Sequence, residues 1–135
     1  VFDIYVLLRP TSPLRPPNLI ERAIKIFEDN DRVTSIRSVA KCTEHPYRIW
    51  KEDEGGSIRG LLNTVHEPYN IPRQELPEMF FQTGDLEAVR RETLIMGSVS
   101  GDNVFPLVIE YDEMLDIDRE AEFQVAQSKI GQAFN

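Results

Sequence analysis

Apolar positions along the chain change between two spacings, and this alternation predicts an α/β protein. Residues 4–8 are apolar at nearly every position, which is typical of a strand covered on both faces in a parallel sheet. A helix is expected next, with a capping box between Asn18 and Glu21 and an end near Asn30. Its core face is expected to consist of Ile20, Ala23, Ile24 and Phe27, which recur at helical spacing.

The later segments continue this pattern. Residues 33–39 are rich in β-branched side chains and predict a second strand, which would complete a strand–helix–strand unit with a right-handed crossover. Residues 104–110 predict another strand, whereas residues 85–96 fit a helix or a strand. Residues 118–133 predict a final helix, and the expected fold is therefore α/β with a mostly parallel sheet. The apolar positions of that helix are Phe123, Ala126, Ile130 and Phe134.

Residues 45–77 have a different character and are expected to be an insertion. Apolar and aromatic runs on either side of Gly55 and Gly56 predict an antiparallel hairpin, and a proline-rich loop follows it. The aromatic side chains Tyr47 and Trp50 can pack on the hairpin's own sheet or on a partner subunit, and both alternatives remain open.

Composition limits the classes of partner. With 135 residues, 41% of them hydrophobic, the chain has the size of one domain over residues 1–135. A net charge of −8 argues against nucleic acid or an anionic membrane as a partner. A single cysteine, Cys42, and the lack of an apolar run near ~20 residues indicate a cytoplasmic protein without a membrane span. Because the chain starts without Met and enters a strand almost at once, we expect it to be a truncated piece of a longer protein.

The loop that follows the first strand is the first candidate site. It contains Arg9, Thr11, Ser12 and Arg15, and prolines between them restrict the backbone. In open α/β sheets ligands bind beyond the carboxyl ends of the strands, so these side chains are candidates for binding a substrate. The alternative is an ordinary proline-rich connection with solvated arginines.

Asp116 and Asp118 are the candidate metal ligands. On an extended segment, residues i and i+2 face the same way, so both carboxylates can bind one Mg²⁺ ion. The pattern is common, since about 0.6 Asp-x-Asp matches are expected by chance in this composition. Asp118 is alternatively a helix N-cap.

Arg73 and Gln74 form the second candidate substrate-binding segment. A guanidinium held between proline-rich flanks can bind a carboxylate or phosphate through two hydrogen bonds, although most loop arginines are simply solvated. His45 and His66 have no second ligand nearby in the sequence, which argues against zinc.

Taken in order, these segments resemble the acylneuraminate cytidylyltransferases, which activate sialic acid and related nine-carbon acidic sugars as CMP conjugates. The resemblance covers nearly all of this chain and the C-terminal half, or somewhat more, of those enzymes. The segments that carry it are the strand ending at Leu8 with Arg9 to Arg15, His45-Pro46, Arg73 to Pro77, Gly84, and Asp116 to Asp118 followed by Glu122-Phe123.

The resemblance implies a partial Rossmann-like nucleotide-diphospho-sugar transferase fold, CTP as co-substrate, Mg²⁺, and a homodimer joined through residues 45–77. It further implies that the anomeric hydroxyl of the sugar attacks the α-phosphate of CTP and that pyrophosphate leaves. In this scheme Asp116 and Asp118 hold Mg²⁺ as the catalytic residues and Arg73 meets the sugar's carboxylate. Positioning and cations would then supply most of the catalysis.

Three positions depart from that family's pattern, and all three lie around the sugar in the family. Arg9 replaces a Gln, Thr83 replaces an Asn, and Glu87 replaces a Tyr. The sugar therefore stays open between the sialic, legionaminic and pseudaminic types. The family's N-terminal glycine- and lysine-containing loop has no counterpart, so this chain alone is expected to be inactive. A pyrophosphorylase using another base and a noncatalytic interaction module are the alternatives.

Overall fold

The computed structural model describes residues 2–110 and 115–133, which fall into two compact units. Unit 1 contains residues 1–40 and 82–135, and unit 2 contains residues 41–81. Within the described residues the strands and helices are β1 (Ile4–Leu7), α1 (Leu19–Asp29), β2 (Ser35–Lys41), β3 (Trp50–Glu52), β4 (Ile58–Gly60), β5 (Phe80–Arg90), α2 (Arg91–Ile95), β6 (Val104–Val108) and α3 (Glu120–Ala133).

A four-stranded sheet with the order β1-β5-β2-β6 forms the centre of unit 1. β2 pairs with β6 in parallel, and β1 pairs with β5 in antiparallel fashion. β5 also runs opposite to β2, because Arg90 N donates to Thr34 O while Leu86 N donates to the hydroxyl of Ser38. The expected mostly parallel sheet is therefore not confirmed. β1, β2 and β6 do share one direction, but β5 separates β1 from β2 and reverses the pairing.

The core of unit 1 lies between α1 and the sheet. α1 ends at Asp29 with Asn30 as its C-cap, close to the predicted end, but Asn18 makes no side-chain capping bond. The predicted core face was partly wrong: Ile20 and Ile24 are each 38% exposed, and Leu19 is buried instead. The helix is therefore rotated relative to the predicted face. The buried cluster consists of Leu19, Ala23, Phe27, Val33, Ile36, Leu86, Ala88, Leu107 and Ile109.

Other elements also differ from their predicted environment. The ambiguous residues 85–96 are divided between the end of β5 and the short helix α2. β1 lies at the sheet edge with Leu7 57% exposed, so it is not covered on both faces. On α3 only Ala126 of the predicted face is buried, while Phe134 lies outside the described residues. None of the helices in the described ranges has the length and apolar character needed to cross a membrane.

Unit 2 contains the predicted hairpin. β3 and β4 are antiparallel, and Gly55 and Gly56 turn between them with φ of 92° and 83°, values that favour glycine. The ring of Trp50 packs on that of Tyr69 at a centroid distance of 4.5 Å. The proline-rich segment that follows the hairpin contains two short 3₁₀ turns, one of them Arg73–Glu75.

Arg90 stabilises the end of α1. Its guanidinium donates to the backbone oxygens of Phe27, Asn30 and Val33, and it lies 4.9 Å from the centroid of the Phe27 ring. Phe27 is therefore both a core side chain and the surface on which Arg90 rests.

We predict that Phe27→Ala lowers the free energy of unfolding by about 3–5 kcal/mol, because it leaves a cavity and removes the ring beneath Arg90. The matched control is Ile24→Ala on the exposed side of α1, which should cost less than about 1 kcal/mol. Urea unfolding monitored by circular dichroism measures both variants. Equal losses would show that the buried face of α1 is assigned wrongly.

Candidate active site beside Gly84

A buried side chain on β2 helps to hold the middle of β5. The Ser38 hydroxyl accepts hydrogen bonds from Leu86 N at 2.9 Å and from Thr83 Oγ1 at 2.8 Å. Ser38 is completely buried. A hydroxyl can satisfy backbone groups where two strands do not match residue for residue. Ser38 therefore fixes the segment of β5 that carries Gly84.

The loop after β1 is tied to the same part of β5. The backbone oxygen of Arg9 accepts from Ser12 N at 3.3 Å and from Arg15 Nη2 at 2.5 Å. Arg15 Nε donates to the backbone oxygen of Asp85 at 3.1 Å. Arg15, predicted as a substrate-binding residue, thus joins the loop to the residue that follows Gly84. Its cation lies at the site, but its hydrogen bonds go to backbone.

The late aspartates reach this loop through one backbone hydrogen bond. Ile117 N donates to Thr11 O at 2.9 Å. The bond places residues 116–118 beside the loop although more than a hundred positions of sequence separate them. Thr11, predicted as a substrate-binding residue, holds the late segment in place through its backbone oxygen.

Three side chains converge over Gly84. A Cβ atom at this position would lie 3.0 Å from Ser12 Oγ, 3.4 Å from Asp116 Oδ2 and 3.5 Å from Arg9 Cδ. A side chain here would compete with all three groups for the same space. The structure thus brings Arg9, Ser12 and Asp116 together at one point, and glycine is what permits it.

Ser12 has an unusual environment in this group. Its side chain is 1% exposed, and Oγ has no hydrogen-bond partner among the described residues. A buried hydroxyl without a partner loses its hydration and gains nothing in return. Such groups are rare in folded proteins, and an unfilled binding interaction is one physical explanation.

Asp118 faces a shallow cavity of about 350 Å³ that it lines with Ile117, Arg119 and Phe123. The alternative that Asp118 caps α3 is wrong, since Phe123 N donates to Arg119 O and Arg119 therefore occupies the N-cap position. Arg119 forms an ion pair with Glu122 at 2.6 Å. This hydrogen bond raises the pKa of Arg119 and lowers the pKa of Glu122.

The donor set fits a hard divalent cation. Both Asp116 and Asp118 are exposed carboxylates on the segment next to the loop. No cluster of three or more His, Cys, Asp or Glu side chains occurs within the described residues. Mg²⁺ needs only one or two protein carboxylates when water and substrate phosphate complete its coordination, so two aspartates are sufficient.

Arg9 belongs to a partly buried ion-pair network with Glu87 and Arg37, and Arg37 was not among the site residues predicted from the sequence. Glu87 Oε1 accepts from Arg9 Nη2 at 2.6 Å, and Oε2 accepts from Arg37 Nη1 at 2.5 Å. Arg37 belongs to β2, most of which is buried. A charged residue inside a mostly buried strand requires a partner of opposite charge. An arginine within the predicted strand 33–39 was therefore the signal in the sequence.

A cavity of about 400 Å³ opens beside this network. The three charged side chains line part of its wall, and apolar side chains line most of the remainder. The cavity therefore has a mostly apolar wall, with the arginines of the ion-pair network on its polar side. The apolar residues that line it are Tyr5, Val6, Leu7, Ala88, Val89, Leu94 and Val99.

Arg73 and Gln74 lie in unit 2 on a 3₁₀ turn. Arg73 lines a cavity of about 250 Å³ together with Cys42 and His45. His45 Nδ1 accepts from Tyr47 N and His45 Nε2 donates to the backbone oxygen of Pro77, so this histidine connects two segments of the unit.

No protein-family model matches the chain. A solved structure with similar fold is a CMP:2-keto-3-deoxy-manno-octonic acid synthetase complexed with CTP, with a TM-score of 0.60 and 13% sequence identity. The similarity covers 97% of this chain and 63% of that one, so this chain spans less than two thirds of the synthetase. At this identity the similarity establishes the α/β fold and leaves the activity to be argued from the site.

We predict that Ser12→Ala changes the free energy of unfolding by less than about 0.5 kcal/mol, because the lost hydroxyl has no partner in the folded chain. Ser38→Ala is the matched substitution at another buried serine. It should lower the free energy of unfolding by about 1–3 kcal/mol, because it leaves the Leu86 amide and the Thr83 hydroxyl without their hydrogen-bond acceptor. Chemical denaturation compares the two. A large loss for Ser12→Ala would mean that its hydroxyl is satisfied in the folded protein.

Proposed function

We propose that this chain carries the catalytic aspartates of a CTP-dependent nucleotidyltransferase that activates an acidic sugar as its CMP conjugate. The observation that carries the proposal is the convergence of Arg9, Ser12 and Asp116 on Gly84. The similarity in fold to a synthetase complexed with CTP supports it, as does the ordered set of motifs. Because the chain spans 63% of that synthetase, the proposed activity is that of the whole protein.

In the proposed reaction the anomeric oxygen of the sugar forms a bond to the α-phosphorus of CTP. The bond from that phosphorus to the bridging oxygen breaks, and pyrophosphate leaves with the electron pair while the hydroxyl proton passes to water. Asp116 and Asp118 would hold Mg²⁺, which when bound supplies positive charge against the triphosphate. Arg9 provides a further cation at the same point, and the stiff loop keeps it in place.

The acceptor is proposed to be an acidic sugar of the sialic, legionaminic or pseudaminic type. Arg73, with Gln74 beside it, is the proposed partner of the sugar carboxylate, since a guanidinium binds a carboxylate through two parallel hydrogen bonds. The synthetase of similar fold is named for an octonic acid, which also carries a carboxylate. Assays with eight- and nine-carbon acids, each with CTP and with UTP, would identify the acceptor and the base.

We predict that Asp116→Asn lowers pyrophosphate release by the full-length protein about 100-fold or more, because the carboxylate that binds Mg²⁺ beside Gly84 is lost. Asp118→Asn should have a comparable effect. The assay contains CTP, Mg²⁺ and an acidic 2-keto sugar.

Asp31→Asn is the control, because Asp31 belongs to the other Asp-x-Asp sequence of unit 1, in the turn after α1. Its turnover should stay near that of the parent protein. Full turnover in Asp116→Asn would exclude the metal assignment, and equal losses in all three variants would point to a general loss of folding.

We also propose that the protein is a homodimer joined through residues 45–77. Unit 2 exposes large apolar side chains around its hairpin, with Ile58 60% exposed. Exposed apolar clusters of this kind are typical of protein interfaces. The others are Ile49, Trp50, Leu61 and Val65.

We predict that Ile58→Lys weakens self-association about tenfold or more, because it places a charge within this apolar surface. Met96→Lys is the control, since Met96 is an apolar side chain of unit 1 that is even more exposed than Ile58. Sedimentation velocity over a range of concentrations measures both. Unchanged self-association in Ile58→Lys would place the interface elsewhere.

A further inference from the structure

Glu87 connects three neighbouring strands through two arginines. It lies on β5, Arg37 lies on β2, and Arg9 follows β1. Each carboxylate oxygen of Glu87 is used by a different guanidinium, at 2.6 Å from Arg9 and 2.5 Å from Arg37. The side chain of Glu87 is only 14% exposed. A carboxylate in this position fixes the direction of both arginines.

Arg37 is the anchored end of the network. Besides Glu87, its Nη2 donates to Val99 O and to Ser100 Oγ, each at 2.9 Å. Its side chain is as buried as that of Glu87. Both amino groups of this guanidinium therefore have partners. Glu87 is the one partner that carries a negative charge, so it neutralises this partly buried cation.

Arg9 is the exposed member of the network and has unused hydrogen-bond donors. Its side chain is half exposed, and among the described residues its guanidinium has one hydrogen-bond partner, Glu87. A guanidinium carries five N–H donors, so Nε and Nη1 stay available on the side away from that bond. The stem of Arg9 packs over Gly84 beside Asp116. Fixed donors at this point suit an anionic oxygen group, a carboxylate or a phosphate.

We propose that Glu87 is a positioning residue that holds Arg9 as an anion-binding group beside Gly84. The inference deepens the proposed function, on which it rests for the identity of the anion. In the opposite role, Glu87 would lower the positive charge and weaken anion binding. The two roles predict changes of opposite sign when the Glu87 carboxylate is neutralised.

The exposure of Arg9 favours the positioning role. Neutralising Glu87 adds one unit of positive charge, but water and salt screen that charge around a half-exposed guanidinium. The same change releases a long side chain from its fixed direction, and a binding group that must first be ordered binds more weakly. Loss of orientation should therefore exceed the gain in charge.

The test uses Glu87→Gln and inorganic pyrophosphate as the probe, with affinity measured by calorimetric titration of the full-length protein. We expect binding about tenfold weaker, although the chain becomes more positive. Glu87→Asp keeps the charge and should recover part of the affinity. Asp29→Asn is the control, because it adds the same charge by breaking the exposed Lys25–Asp29 ion pair of α1. Its affinity should not change.

A second readout separates orientation from general damage. The Nε–H resonance of Arg9 in nitrogen-15 NMR should be that of an ordered side chain in the parent and motionally averaged in Glu87→Gln. The double variant Arg37→Met with Glu87→Gln removes both partly buried charges, so it avoids an unpaired cation in the sheet. It should also bind pyrophosphate weakly, since Arg9 has again lost its partner. Affinity that is equal to or tighter than the parent's in both variants would overturn the proposal.

The source of the anion is decided in the full-length protein. A rise in KM for CTP in Glu87→Gln means that Arg9 meets a phosphate, and a rise in KM for the acidic sugar means that it meets the carboxylate. Either result supports the proposal, and no rise in either KM counts against it. If the protein shows no turnover with CTP, the proposed function fails, while pyrophosphate binding and the Arg9 resonance still decide the role of Glu87.

Discussion

The close approach of backbone and side chains at Gly84 is the constraint on which the site depends. Arg9 and Ser12 come from the loop after β1 and Asp116 comes from the late segment of the chain, and all three lie within about van der Waals range of the space above this one residue. Two devices produce the approach. Ser38 holds β5 from inside the core, and the Thr11–Ile117 hydrogen bond holds the late segment against the early loop.

The charged side chains near Gly84 differ in how far they are buried, and this difference separates their roles. Glu87 and Arg37 are partly buried in the sheet, where an unpaired charge is unfavourable, so their pairing stabilises the fold. Arg9 shares the same carboxylate but remains half exposed. The carboxylate of Glu87 thus joins a structural arginine, Arg37, to an arginine at the site, Arg9. The unpaired hydroxyl of Ser12 stands at the same place, so polar groups with unused capacity concentrate beside Gly84.

The fold was predictable in its elements and less so in its pairing. The β1–α1–β2 unit, the hairpin and the strand β6 follow from local periodicity and turn chemistry, which act over a few residues. The insertion of β5 between β1 and β2 depends on which strands meet in space, and no local pattern encodes that. The buried face of α1 differs for the same reason, since Leu19 and Ile20 are equally apolar and only packing on the sheet distinguishes them.

By itself the sequence determined which residue types the site has available: a stiff loop with arginines and hydroxyls, and two aspartates late in the chain. It also determined the α/β class, because hydrophobic periodicity is a local property of the chain. Only the tertiary structure decided that Gly84 is the meeting point, that Arg15 bonds to backbone, and that Arg37 and Glu87 hold Arg9. Those facts are contacts between distant segments, and contacts of this kind arise when the sheet assembles and close packing selects one arrangement.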